Sequence, residues 1–161
     1  MVSLKKVQTI THSNDSKSLR VWCAIWNYDG THLVTCGEDK CIRIWEFDKN
    51  SIKEKPILYQ SIENEQNRAI RCLAFNYNYD NPRLAAASFD GSVNIYKGNR
   101  VEKYIETNKL EGHENEVKCC AYSPNGDYLA TCSRDRSTWV WESGKLIKTT
   151  KIIGKIKTTK H

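Results

Sequence analysis

Three segments of the chain share one register. In each, an apolar run is followed by a polar turn, a second apolar run, a tight turn carrying an aspartate, and a third run that closes on an aromatic residue. The aromatics are Trp45, Tyr96 and Trp141, and Asp39, Asp90 and Asp135 stand six residues before them. Recurrence at fixed spacing constrains a fold more tightly than local propensity does. Each copy must be one unit of a repeated architecture, buried against its neighbours.

The last copy is the most complete. Leu110 to Glu142 reads LEGHENEVKCCAYSPNGDYLATCSRDRSTWVWE. Gly112-His113 opens it, and apolar runs from Val117 to Tyr122 and Tyr128 to Ser133 flank the turn Ser123 to Asp127. The run Ser137 to Glu142 closes it on Trp141-Glu142. A Gly-His opening and a Trp-Asp close, at roughly 40–45 residues per unit, mark the four-stranded blade of a WD-type β-propeller. The expected class is therefore all-β: about three four-stranded blades of a probable seven, a truncated propeller spanning 1–142 with repeats near 12–47, 66–97 and 113–142.

The other copies align on it. Val21 to Trp26 and Ile70 to Phe75 are the innermost strands, His32 to Cys36 and Arg83 to Ser88 the second, Cys41 to Phe47 and Ser92 to Lys97 the third. Pro56 to Ile62 and Tyr104 to Leu110 supply outer strands. Met1 to Ile10 reads as a leading outer strand that would complete a sheet formed far downstream. The apolar inner runs suit sheets packed on both faces, whereas the others alternate.

Within the last copy, His113, Thr131, Asp135 and Trp141 occupy the places of a buried hydrogen-bond chain. An ionised carboxylate only accepts, neutral imidazole both donates and accepts, a hydroxyl relays, and an indole N–H only donates. The first copy repeats the set as His12, Thr35, Asp39 and Trp45. The second has Gln66, Ala86, Asp90 and Tyr96, so only its aspartate matches, which predicts that the second blade is the softest. The Asp/His/Thr sets thus belong to structure rather than to a catalytic triad. With them assigned, no nucleophile–base pair and no phosphate-cradling glycine loop is left, and an enzyme is not expected.

The formal charge of +6 belongs to one end. Six lysines and no acid lie between Gly144 and His161, and without those six the chain has 19 basic and 19 acidic side chains. A basic stripe on a folded face, as nucleic-acid binders carry, is not expected. The segment 143–161 repeats Ile-Lys-Thr-Thr-Lys nine residues apart and reads as a basic low-complexity tail separate from the propeller. No basic-then-apolar leader and no bilayer-length apolar run is present in the sequence, which predicts a soluble intracellular chain without membrane contact. Seven cysteines (23, 36, 41, 72, 119, 120 and 132) contain no CxxC pair. An odd number without a leader supports neither a disulfide framework nor a zinc site; most sit in strand patterns as small apolar residues.

The residues go further than the generic repeat. The ENEV-to-CSRD block of Leu110 to Glu142, with CGEDKCIRIWE (Cys36 to Glu46) and LAAASFDGSVNIYK (Leu84 to Lys97) upstream, resembles the first three repeats of the cytosolic iron–sulfur protein assembly WD-repeat family. The likeness covers about residues 10 to 142 and stops at the tail. It implies a non-catalytic adaptor, cytoplasmic with the nucleus as a second compartment and holding no cofactor. Its partners would be the other proteins of the iron–sulfur targeting complex and client apoproteins. It also implies that Arg134 matches the family's functional surface arginine. The residue before the turn aspartate projects onto the rim, where a guanidinium can fork onto a carboxylate. Glu38 and Phe89 hold the same place in the first two repeats and would join Arg134 in one contact patch. The alternative is a WD-repeat scaffold of another assembly, such as a ubiquitin-ligase receptor or an RNA-processing particle.

Overall fold

The computed structural model describes residues 3–12, 19–48, 55–63, 68–77, 82–99 and 101–142, and the backbone of 150–152. These form three four-stranded antiparallel sheets with no helix among the described residues. The first contains β1 (Val21–Trp26), β2 (His32–Gly37), β3 (Cys41–Glu46) and β4 (Ile57–Glu63). The second contains β5 (Ile70–Asn76), β6 (Arg83–Ser88), β7 (Val93–Lys97) and β8 (Ile105–Leu110), and the third β9 (Val117–Tyr122), β10 (Tyr128–Ser133), β11 (Thr138–Glu142) and β12 (Thr150–Ile152). Strand order follows chain order in every sheet, the meander of a propeller blade.

Strand β5 packs against both β1 and β9, so the second sheet lies between the other two. Its side chains divide accordingly. Leu84, Ala86 and Tyr96 join Val34, Ile42 and Ile44 of the first sheet, while Ala85, Ala87, Val93 and Ile95 join Val117, Cys120 and Leu129 of the third. The alternation follows from the period of two along a strand. Alanine on both faces of β6 lets neighbouring sheets close up around it. Polar clamps cross the seams as well: Gln60 exchanges two hydrogen bonds with the backbone of Tyr104 at 2.8 and 2.9 Å, and Asn76 Nδ2 donates to the Gly126 carbonyl at 3.1 Å.

The leading and trailing segments differ in how they meet the sheets. Residues 3–10 of the leading segment pair with none of the three sheets. Each of the three sheets has an outer strand of its own repeat, β4, β8 or β12, and none of them is the far-downstream sheet that the leading segment was expected to complete. Conversely, the segment beyond Glu142, read as a tail apart from the propeller, supplies β12, whose backbone pairs antiparallel with Thr138–Val140. Thr150, Lys151 and Ile152 offer free backbone donors and acceptors to the exposed edge of β11, a pairing that depends little on side-chain identity. Gln66 and residues 78–81 lie outside the described residues.

Candidate functional site

The turns between second and third strands are built alike. In each, an amide bonds the carbonyl three residues back: Lys40 to Gly37, Gly91 to Ser88, and Arg136 to Ser133. The residue after the aspartate is left-handed in all three, with φ of 65°, 94° and 69°. The carboxylate then accepts the amide two residues on: Cys41 at 3.2 Å, Ser92 at 2.9 Å and Ser137 at 2.8 Å. This Asx turn explains why Asp90 persists where the rest of its chain is replaced. The aspartate serves the turn before it serves the chain.

Both intact chains have the expected members within bonding distance. His113 Nδ1 lies 2.7 Å from Asp135, Nε2 lies 2.8 Å from the Thr131 hydroxyl, and the Trp141 indole donates to that hydroxyl at 2.9 Å. In the first sheet, His12 lies 3.2 Å from Asp39 and 2.6 Å from Thr35, and Trp45 donates to Thr35 at 2.8 Å. The two differ four residues after the aspartate. Arg43 pairs with Asp39, whereas the corresponding Trp139 donates to Ser137, whose hydroxyl bonds Asp135 at 2.5 Å. Burial pushes the Asp135 carboxyl up, but bonds from Ser137, His113 and the Ser137 and Glu114 amides outweigh it and leave it well below the usual carboxylate range. Burial lowers His12; Asp39 opposes this and Arg43 adds to it.

Among the described residues the second sheet has no such chain at Ala86, yet Leu84 to Ala87 are completely buried and Tyr96 is 1% exposed. Burial on both faces stands where its neighbours have polar links.

Glu38, Phe89 and Arg134 occupy one edge. Each donates its amide to the carbonyl just ahead of an inner strand: Arg20 at 2.9 Å, Ala69 at 3.0 Å and Glu116 at 3.0 Å. Beside them, each inner strand bulges at one place, between Val21 and Cys23, Ile70 and Cys72, and Val117 and Cys119. A bulge re-aims the extra residue, here Trp22, Arg71 and Lys118. Trp22 packs on Phe89 with ring centroids 5.0 Å apart, Lys118 Nζ lies 4.0 Å over the Phe89 ring, and Arg71 Nη1 donates to the Trp22 carbonyl at 3.2 Å. Glu38 forks onto Arg20 at 2.9 and 3.0 Å. Arg134, 67% exposed, reaches Glu116 at 3.4 Å, and Lys118 and Arg68 reach the same carboxylate at 3.1 and 3.7 Å. Bonds from Lys118 foremost, then Arg134, hold the Glu116 carboxyl below its ordinary range.

The three expected rim residues thus meet through one line of contacts running Glu38, Arg20, Trp22, Phe89, Lys118, Glu116, Arg134. Trp22 and Lys118 are absent from the sequence-based set because nothing in the alternation announces a bulge, and Arg20 because its partner Glu38 lies 18 residues away. At the opposite end, a cleft of about 480 Å³ opens between the first two sheets, walled by Phe75, Tyr77 and Tyr104. Among the described residues, no three His, Cys, Asp or Glu side chains are grouped so as to hold a metal ion.

The pattern of blades agrees with comparison to known proteins. The family model described as "WD domain, G-beta repeat" matches residues 4–46, 58–97 and 104–142. The chain belongs to the WD-repeat family. Within that family it is similar to proteins named for cytosolic iron–sulfur protein assembly. A Caenorhabditis elegans protein named as a probable cytosolic iron-sulfur protein assembly protein CIAO1 homolog is 38% identical over 86% of this chain and 41% of its own length. A Schizosaccharomyces japonicus protein named as a probable cytosolic Fe-S cluster assembly factor is 39% identical over 77% of this chain and 19% of its own. Kluyveromyces lactis has a probable cytosolic iron-sulfur protein assembly protein 1, 32% identical over 91% of this chain and 42% of its own. The WD-repeat chain described here therefore spans less than half the length of these relatives. All three are named for cytosolic iron–sulfur assembly, with which a cytoplasmic location is consistent. Among solved structures, a chain of the mitotic checkpoint complex superposes with a TM-score of 0.70 over 86% of this chain and 39% of its own, at 19% identity, a likeness of fold alone.

Proposed function

We propose that this WD-repeat chain is a non-catalytic adaptor in cytosolic iron–sulfur protein assembly, and that its partners grip the rim around Arg134, Phe89 and Glu38. On this reading the cluster is cargo and the chain has no resident cofactor. The partners are other proteins of the targeting complex and the client apoproteins.

The observation that carries the site is the convergence of the three rim positions. A half-buried aromatic pair, Trp22 and Phe89, is flanked by three cations sharing the single carboxylate of Glu116. Aromatic and arginine side chains are the residues that most often anchor interfaces. The uncancelled positive charge suits an acidic surface on the partner. The assembly role rests on the names of the relatives, and the choice of Arg134 on its place in this patch.

The test is Arg134→Glu in the full-length protein, followed by affinity purification and identification of what copurifies. Iron–sulfur assembly factors are expected with the unaltered protein and a loss of about tenfold or more with the variant, at unchanged melting temperature. Equal capture by both proteins would remove Arg134 from the site. Recovery of cullin adaptors or ribonucleoprotein instead would replace the assembly role.

A further inference from the structure

The inner strands carry a cysteine at the same place in all three repeats, Cys23, Cys72 and Cys119, and every cysteine is a free thiol. Two of them meet across a seam. Cys72 Sγ of β5 lies 3.7 Å from Cys119 Sγ of β9. We propose that Cys72 and Cys119 are a redox modification site, forming a reversible disulfide that staples the second blade to the third when the protein meets peroxide.

The geometry favours this pair over the other thiols. Cys119 is exposed and Cys72 half-buried, whereas Cys36 and Cys120 are buried. Cys23 is half-buried, bonds the Cys72 thiol and accepts the Leu73 amide at 3.4 Å, so it lacks the exposure of Cys119 and is the competing partner that the test must separate. A disulfide needs its sulfurs about 2.05 Å apart, so Cys72 and Cys119 must close by about 1.7 Å. Side-chain rotation on two strands that already pack against each other supplies movement of that size, with no change of strand pairing.

The chemistry balances with hydrogen peroxide as the oxidant. The Cys119 thiolate attacks one peroxide oxygen, the O–O bond breaks, and Cys119 becomes a sulfenic acid while hydroxide leaves and is protonated to water. Cys72 then gives up its proton to solvent, and its sulfur attacks Cys119 Sγ. The S–O bond breaks as the S–S bond forms, and the departing hydroxide takes a proton to give a second water. Two thiols are oxidised and one peroxide is reduced to two waters. A bond from Cys120 lowers the Cys72 thiol, but Cys23 and burial outweigh it and hold it up at about 12. Cys72 is therefore the slow, resolving partner. Cytosolic thiol reductants would return the pair to thiols, as suits a transient bond in that compartment.

The bond would close a long loop running from β5 through the whole second blade to β9. It would lie one residue from Lys118, whose ammonium covers Phe89, under the rim already described. The inference does not depend on what that rim binds.

The test treats the full chain with hydrogen peroxide and maps its peptides without reduction. One intramolecular link between the peptides of Cys72 and Cys119 is expected, lost on adding dithiothreitol, with a melting temperature higher by roughly 5–10 °C while oxidised. Cys72→Ser should leave Cys119 as a sulfenic acid that dimedone traps, and Cys132→Ser should leave the link intact. A link from Cys119 to Cys132, its cross-strand neighbour in β10, would overturn the proposal. A link from Cys72 to Cys23 or Cys120, or sulfinic acid at Cys119 with no link in the unaltered chain, would do the same.

Discussion

The ring of Phe89 lies 5.0 Å from that of Trp22, centroid to centroid, and joins the turn of the second blade to the bulge of the first. A turn residue is ordinarily solvated, yet this one is half-buried between Trp22 and the ammonium of Lys118. Phe89→Ala is expected to cost about 1 kcal/mol of stability, the size of a partly exposed aromatic pair. Urea denaturation measures it. A loss above about 3 kcal/mol would instead mark Phe89 as a core residue and take it out of the contact surface.

Thr131 is the relay of the third blade. Thr131→Val conserves shape but leaves the Trp141 N–H and His113 Nε2 without their shared partner. A buried polar group left unpaired costs about 1–3 kcal/mol. Chemical denaturation should show a loss of that order, and indistinguishable stability would mean that water takes over the hydroxyl's role.

Titration should separate the two chains. Asp135 is held below its ordinary value of 3.8. A depressed carboxyl stabilises the fold fully above that value, and the contribution falls away as pH drops through the lower folded one. His12 is held below its ordinary 6.5. By the same sign, folding favours the neutral ring, so this contribution is complete above 6.5 and declines as pH falls below it. Stability measured in urea should therefore decline in two steps, one starting below pH 6.5 and one below pH 4. His12→Gln should flatten the first step and Asp135→Asn the second. If His12→Gln leaves the first decline unaltered, another group titrates there.

Glycine positions give an internal control. Gly91 has φ of 94°, and a Cβ there would lie 2.9 Å from the His113 carbonyl oxygen of the next blade; a Cβ on Gly112, with φ of 147°, would lie 2.5 Å from the Trp139 ring. Gly30 has φ of 70° but open space around it. Gly30→Ala should cost about 1 kcal/mol, the strain of a left-handed alanine alone. Gly91→Ala and Gly112→Ala should each cost about 2–4 kcal/mol, because a neighbour must also move. Thermal melts of the three variants read this directly, and equal losses would show that the seam yields freely.

Overpacking tests the middle blade. Ala85 and Ala86 are fully buried on opposite faces of β6, one toward each neighbouring sheet. Ala85→Leu and Ala86→Leu should each destabilise by about 1–3 kcal/mol. A neutral result at either would show slack at that seam, and with it the softness expected of a blade without its polar chain.

Much of this was readable from residue order. The spacing of Asp39, Asp90 and Asp135 from their aromatics located nine strands, most to within a residue at each end, because one turn chemistry recurs three times. The bulges were not readable. Val21-Trp22-Cys23, Ile70-Arg71-Cys72 and Val117-Lys118-Cys119 look like unbroken alternation, and only the partner strand reveals that one residue in each is unpaired. Arg20 and Lys118 entered the rim for the same reason: their partners are 18 and 29 residues away.

Local order of residues thus determined the repeat, its turns and the members of two hydrogen-bond chains, since each depends on groups a few residues apart or on a period of two. Tertiary structure alone decided which faces became seams. It placed Trp22 against Phe89 and Cys72 against Cys119, and it joined residues 150–152 to a sheet edge. Those contacts depend on how one sheet stacks on the next, a geometry set by side-chain volumes such as the alanines of β6 and not by any spacing along the chain.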